Sequence, residues 1–372
     1  MFDISFFRTT SEIKKKIVDM KSHIRQAEVS AILRKHTDEY PCVFNIETTN
    51  ACNMKCKMCP RTSLMRRPAQ VMKMGLFEKV IKQIMPHKKE AMDSFWKFIA
   101  DEYRIHPSDK SENAFYFYTV SKSLILHGYG EPPLDPYLVE RIALCSKYNI
   151  PTYFSCVPAN IDVDKFIKMM EAGVGVIKFA MDAIDDESAK KIRGKSNDFT
   201  RSYKLIRELI NAKSKNPSLK TKIVITMLDL SRSKNSVKMH DDFMGLWKDR
   251  DVYAYIKSQD NQWYYKDDDA GKPRSHYETQ YCEFPWTSMT VMVDGSVVPC
   301  TQDYNCEMVL GNANSQTLKE IWNSVDYKNF RRWHINGDFP KDHKCYTRCD
   351  QKLICKRLKK EINNERFPQY EG

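Results

Sequence analysis

No apolar run in this 372-residue chain reaches the ~20 residues that a membrane-spanning helix needs. The N-terminus, MFDISFFRTTSEIKKK, lacks a signal peptide's order of a basic start followed by a long apolar segment. There is no low-complexity tract and no internal repeat, so a globular protein is expected. No segment combines a basic stripe with stacking aromatics. The net charge of +12 therefore reads as a generally solvated basic surface rather than a nucleic-acid interface. These absences leave a soluble cytoplasmic protein with no membrane and no nucleic-acid partner. Its length allows one large core or two moderate ones.

Against them stand twelve cysteines. The cytosol keeps thiols reduced, so metal or redox chemistry is a better reason for them than disulfides. Cys52, Cys56 and Cys59 crowd eight positions, and Cys345, Cys349 and Cys355 crowd eleven. The others are Cys42, Cys145, Cys156, Cys282, Cys300 and Cys306.

Along the chain, apolar residues recur at steps of three and four over 11–36, which predicts one amphipathic helix. After Pro41, short apolar strands alternate with helical patterns. VFNIETT, SLILHGYG, TYFSC, GVIKFAMD, KIVITMLD and VYAYIK are the strands. This rhythm predicts an α/β fold, a parallel sheet in a closed or partly open barrel with helices outside. Catalytic groups in such folds sit at the C-terminal ends of the strands. Residues 87–118 are too long for a simple connection and predict an inserted helix with a lid-like loop. Residues 258–281 read as a linker into a different C-terminal module, and SMTVMVDGSVVPC within that module as a hairpin turning at Asp294-Gly295.

The first strand runs into Cys52-Asn53-Met54-Lys55-Cys56-Lys57-Met58-Cys59. Three thiolates at these spacings can wrap one iron–sulfur cubane and leave its fourth iron without a protein ligand. A small molecule bearing an amine and a carboxylate can chelate that iron. A zinc knuckle would want a fourth ligand, and no His or Cys lies nearby to supply it.

The CxxxCxxC loop resembles the signature of the radical S-adenosylmethionine (SAM) superfamily. The resemblance implies a partial (β/α)6 TIM-type barrel and a 4Fe–4S cluster on Cys52, Cys56 and Cys59. SAM would be reduced at the open iron to a 5′-deoxyadenosyl radical that takes a hydrogen atom from substrate. His127-Gly128-Tyr129-Gly130-Glu131-Pro132 resembles the family's glycine-rich GGE-type motif, whose backbone approaches SAM's amino group. Ser155 resembles the polar position that contacts SAM's ribose or carboxylate. Asp182 and Arg193 resemble the SxD and R-G positions, with Ala180 where a polar residue often sits. Arg193 would pair with SAM's carboxylate.

Cys282, Gly295, Cys300, Cys345 and Cys349 follow the order of the SPASM/twitch extension of the same superfamily. That implies a small α+β module in which the hairpin sets Cys282 beside Cys300 and Cys345 and Cys349 complete an auxiliary 4Fe–4S cluster. The family usually has CxxC where this chain has CxxxC at Cys345 and Cys349, so Cys355 or Cys306 could substitute. Too few cysteines remain for two four-cysteine sites, which favours one cluster. The basic run Lys352, Lys356, Arg357, Lys359 and Lys360 reads as a solvated helix, or as a docking face for a flavodoxin- or ferredoxin-type electron donor.

The expected domains are a helical extension (1–40), the barrel (41–257, insertion 87–118) and the auxiliary module (258–372). The expected function is hydrogen abstraction from a small polar substrate such as a sugar or aminocyclitol, with the auxiliary cluster relaying or accepting an electron. About forty residues precede the barrel, fewer than the leader-binding domain of many peptide maturases, which tilts the expectation away from peptides. Peptide or protein modification and non-catalytic electron carriage remain the alternatives. Cys156, at the end of the third strand, is a candidate hydrogen donor for an epimerase.

Overall fold

The computed structural model describes residues 1–18, 26–36, 40–229, 236–258, 282–336 and 338–347. Two helices, α1 (Phe6–Val18) and α2 (Gln26–Lys35), precede the first strand, β1 (Val43–Ile46). The single helix expected over 11–36 is thus two, and the first begins earlier. Burial of Phe6 and Phe7 against other elements, a tertiary effect invisible to periodicity, extends it. Phe6 stacks on Trp286 at 5.6 Å, and Phe7 meets Phe117 edge-on at 5.7 Å.

After the cysteine loop come α3 (Met74–Ile81), α4 (Lys89–Tyr103), α5 (Glu112–Lys122) and β2 (Leu124–Ile125). Next are α6 (Leu138–Lys147), β3 (Thr152–Cys156), α7 (Val163–Glu171), β4 (Val176–Ala180), α8 (Asp186–Arg193) and α9 (Phe199–Ser214). The barrel part ends with β5 (Lys222–Asp229), α10 (Ser236–Trp247) and β6 (Tyr253–Ser258). The last part contains α11 (Phe284–Thr287), β7 (Met289–Val291), β8 (Ser296–Val298), β9 (Gly311–Asn312), α12 (Leu318–Trp322), α13 (Val325–Asn336) and α14 (Lys344–Thr347).

One sheet of nine strands runs β6-β5-β4-β3-β2-β1-β7-β8-β9. Strands β1 to β6 are parallel neighbours in sequence order, with no reversal of winding, so the barrel reading holds over a doubly wound one. The barrel is partial: among the described residues β6 pairs only with β5, and β1 turns its other edge to β7. The C-terminal hairpin thus continues the barrel sheet. Val43 pairs with Met289 and Ile46 with Val291, and Thr290 donates to Asn45 at 2.7 Å.

Alternation along the strands separates two layers. Leu124, Phe154, Ile177, Phe179, Ile223 and Ile225 face the helices and build the main core. Ile125, Tyr153, Val176, Val224 and Tyr255 face the concave side, where they meet Phe115 of α5. The Phe115 ring lies 5.4 Å from Tyr153 and 5.9 Å from Tyr255. The insertion therefore supplies a floor to the barrel rather than the lid-like loop expected. Ser111 caps α5 by accepting from the Ala114 N–H, and the Tyr253 hydroxyl ties the same turn to β6. Among the described residues, no helix is long and apolar enough to cross a membrane.

Phe115→Ala should empty this floor and destabilise the protein by about 3–5 kcal/mol, read as a shift in denaturant midpoint. A change under about 1 kcal/mol would show that α5 does not pack as described.

Candidate active site

The cysteine loop leaves β1 through Glu47-Thr48-Thr49-Asn50, all buried. Asn50 folds the loop back on itself, accepting from the Gln70 N–H at 2.6 Å and donating to the Pro68 carbonyl at 2.8 Å. The far side of the loop leans on the end of α8. The N–H groups of Lys55 and Lys57 donate to the carbonyls of Arg193 and Ile192 at 3.0 and 2.9 Å. Gly194 makes this approach possible, with φ of 97° and Lys55 packed directly against it. Burial pushes the Cys52 thiol up to about 11 and raises those of Cys56 and Cys59 as well.

Beside the loop, the HGYGEP turn leaves β2 after only two strand residues, fewer than SLILHGYG implied. The Glu131 N–H donates to the Ala51 carbonyl at 2.8 Å, which clamps the turn onto the start of the cysteine loop. A Cβ on Gly130 would run into the Thr49 carbonyl, and one on Gly128 would sit 2.7 Å from a Glu47 oxygen. The Glu131 carboxyl accepts from the Val157 N–H at 2.8 Å, and burial pushes it up to about 7. Asn53 and Asn160 exchange hydrogen bonds of 2.8 and 3.0 Å, joining the cysteine loop to the exit of β3.

Asp182 and Arg193 form a buried ion pair, and Arg193 also donates to Cys56 Sγ at 3.3 Å. Asp182, at φ of 55°, accepts from the Leu228 N–H at 2.8 Å. Arg193 is therefore no solvated helix residue but a donor to a loop thiol. Its Nε is buried without a hydrogen-bond partner. The Ser155 N–H donates to His127 Nδ1 at 3.2 Å. Burial holds His127 near 3, so this imidazole is neutral.

These elements surround a cavity of about 270 Å³. Cys52, Cys56, Cys59, Gly128, Gly130, Asp182 and Arg193 line it, together with Lys178, Thr226 and Lys257. Three thiols, a cradle of glycine backbone and an orphaned guanidinium N–H on one cavity fit a cluster bearing a small zwitterion. Among the described residues, no three Cys, His, Asp or Glu side chains converge on a single-ion position.

Cys156 does not join this wall. It is one residue out of phase with Ser155, so its buried thiol belongs to the helix-facing core with Phe154. The residue expected as a hydrogen donor is thus placed in the core and is not among the side chains lining the cavity. Lys178 and the buried Glu47 were missed in the sequence. Lys178 carried a signal, a lysine at an inward position of the apolar strand VIKFA.

In the C-terminal part, Cys282, Cys300 and Cys345 are buried. Burial raises the hydroxyl of Tyr327, against the neighbouring Arg331, and Cys300 and Cys282 lie near enough to add to the rise. Cys306, at φ of 57°, faces Arg67, Asp294 and Asp303, and burial pushes its thiol up to about 12. Cys349, Cys355 and the basic run Lys352–Lys360 lie outside the described residues.

Two alanine substitutions should move stability in opposite directions. Gly130→Ala drives a methyl into fixed backbone and should cost about 1–3 kcal/mol. Gly75→Ala, in α3 with nothing within 4 Å, should gain about 0.5–1 kcal/mol. Thermal melting reads both, and equal effects would contradict the packing at the HGYGEP turn.

Comparison with known proteins agrees with this geometry. The radical SAM superfamily model matches residues 110–232, and that of the SPASM iron–sulfur cluster-binding domain matches 282–350. The cysteine loop precedes both matched ranges. A stretch of 73 residues is 32% identical to the S-adenosyl-L-methionine-dependent 2-deoxy-scyllo-inosamine dehydrogenase of Niallia circulans. That stretch covers 20% of this chain and 29% of the dehydrogenase. Among solved structures, SuiB of Streptococcus suis bound to precursor peptide SuiA is similar at a TM-score of 0.52 and 15% identity, over 87% of this chain and 73% of that one. The protein anSMEcpe with bound AdoMet is similar at 0.52 and 16%, over 87% of this chain and 96% of that one. Both likenesses are of fold. The cofactors of the two matched domains are SAM with a 4Fe–4S cluster and auxiliary iron–sulfur clusters. With its parallel barrel sheet and C-terminal cysteine module, the chain carries a radical SAM domain over 110–232 and a SPASM iron–sulfur cluster-binding domain over 282–350.

Proposed function

We propose that the protein is a radical SAM oxidoreductase that takes a hydrogen atom from a small polar molecule, such as a sugar or aminocyclitol, with the auxiliary cluster accepting or relaying the second electron. The observation that carries this reading is the cavity: three loop thiols and a glycine turn, ringed by polar strand-end groups, above a floor made by α5. The local likeness to a dehydrogenase of 2-deoxy-scyllo-inosamine supports the substrate class. A peptide-modifying reading rests on likeness of fold alone, and a simple electron carrier has no need of the cavity. The domain boundaries 1–40, 41–257 and 258–372 belong to the same proposal.

When bound, the cluster and SAM supply a hydrogen-abstracting carbon radical. Cys52, Cys56 and Cys59 would hold the first cluster. Gly128, Gly130, Glu131, Ser155, Asp182 and Arg193 would border SAM. Cys282, Cys300, Cys345 and Cys349 would hold the auxiliary cluster, with Cys306 or Cys355 as substitutes. Within this frame, Asp182 neutralises Arg193 while the guanidinium keeps an N–H on Cys56 Sγ. Glu131 fixes the exit of β3 through the Val157 N–H. Phe115, Tyr153 and Tyr255 exclude water from below, protecting reactive species from quenching. A flavodoxin- or ferredoxin-type donor and a cytoplasmic location fit chemistry that requires reduced thiols.

Anaerobic reconstitution should load about eight irons per chain, and combined Ala substitution of Cys52, Cys56 and Cys59 should leave about four. With substrate, one SAM should be consumed per product, and the product should gain a C=O or C=N bond. Zinc in place of iron, or an isomeric product carrying one solvent deuterium, would overturn the proposal.

A further inference from the structure

Lys178 sits mid-strand on β4, at an inward position two residues below Ala180, and its side chain lines the cavity. Its ammonium lies 5.7 Å from the Phe115 ring and 5.8 Å from the Tyr153 ring. No carboxylate of the described residues pairs with it. Asp182 is held by Arg193 and the Leu228 N–H, and Glu112 lies 3.8 Å from Lys257. Among the described residues, the charged side chains lining the cavity, the thiols aside, are Lys178, Arg193 and Lys257 against Asp182.

We propose that Lys178 contacts the substrate directly, and that the substrate presents an anionic group, a carboxylate or a phosphate, to it. The inference rests on the functional reading above and narrows it. Among the described residues no unpaired carboxylate lines the cavity to answer a substrate ammonium, so within that reading an acidic sugar is favoured over an aminocyclitol. SAM's own carboxylate is the other source of an anion, and with the first cluster on Cys52, Cys56 and Cys59 it would be held beside the cysteine loop, where Arg193 lies. Lys178 lies deeper, on the rings of the floor. Burial pulls its ammonium down to about 8, Lys257 adds to the fall, and Asp182 and Glu112 oppose it. Below that pH the lysine is a cation with aromatic faces beneath it and an anion-sized demand above.

The test is equilibrium dialysis of cluster-loaded, SAM-bound protein against glucuronate, glucose 6-phosphate, myo-inositol and glucosamine at low salt. Wild type should bind glucuronate or glucose 6-phosphate about ten-fold or more tightly than myo-inositol, with glucosamine weakest. The two acids separate the carboxylate from the phosphate source. Lys178→Gln should erase the preference and Lys178→Arg should retain part of it, while both variants keep SAM affinity and thermal midpoint. The proposal is overturned if wild type shows no preference for the acids or favours glucosamine. It is equally overturned if Lys178→Gln weakens SAM binding and leaves the acids unaffected, since the anion at Lys178 is then SAM's. Substrate-independent SAM cleavage separates the two readings. With cleavage intact, absence of the charge order defeats this inference alone; absence of cleavage defeats the functional reading beneath it.

Discussion

One buried carboxylate holds the two cysteine regions in register. Glu47, fully inaccessible at the end of β1, receives both guanidinium arms of Arg67 at 2.7 and 2.8 Å. It also accepts from the Tyr129 N–H of the glycine turn and from the Val293 N–H of the C-terminal hairpin. Arg67 passes the connection on, donating to the Tyr304 carbonyl at 2.8 Å. The return limb of the cysteine loop, the HGYGEP turn and the hairpin all converge on this pair. Such a pair adds little over well-packed apolar residues, but loss of one partner strands an unpaired charge and costs several kcal/mol. Here the docked loop, turn and hairpin each supply a donor to the carboxylate.

The chemistry of the site was more legible than its carpentry. The CxxxCxxC spacing, the GYGEP turn and the strand-helix rhythm are local signals, and local signals survive in a sequence. The Glu47–Arg67 pair is not local, because 20 positions separate its members and nothing in ETTNAC or MRRPAQ marks them as partners. The floor was hidden for a similar reason. The length of 87–118 announces an insertion, but only the packing of Phe115 against Tyr153 and Tyr255 says which end of the barrel it closes.

Face assignment explains the remaining differences. A strand end was treated as a single location, whereas neighbouring side chains on it point to opposite sides. Ser155 and Cys156 differ by one residue, and that step moves a thiol from the concave side into the packing beneath the helices. The same alternation, applied to VIKFA, would have drawn attention to Lys178. Arg193 is buried by another route: at the end of α8, Gly194 lets the helix approach the cysteine loop closely.

The continuity of the sheet has a kinetic meaning. Because β7 is laddered directly onto β1, the loop of Cys52, Cys56 and Cys59 and the hairpin that leads to Cys300 hang from adjacent strands of one sheet. A gap set by a hydrogen-bonded ladder does not open and close with domain motion. Any electron crossing it would tunnel over a constant length, at a rate governed by driving force and reorganisation and indifferent to the viscosity of the medium.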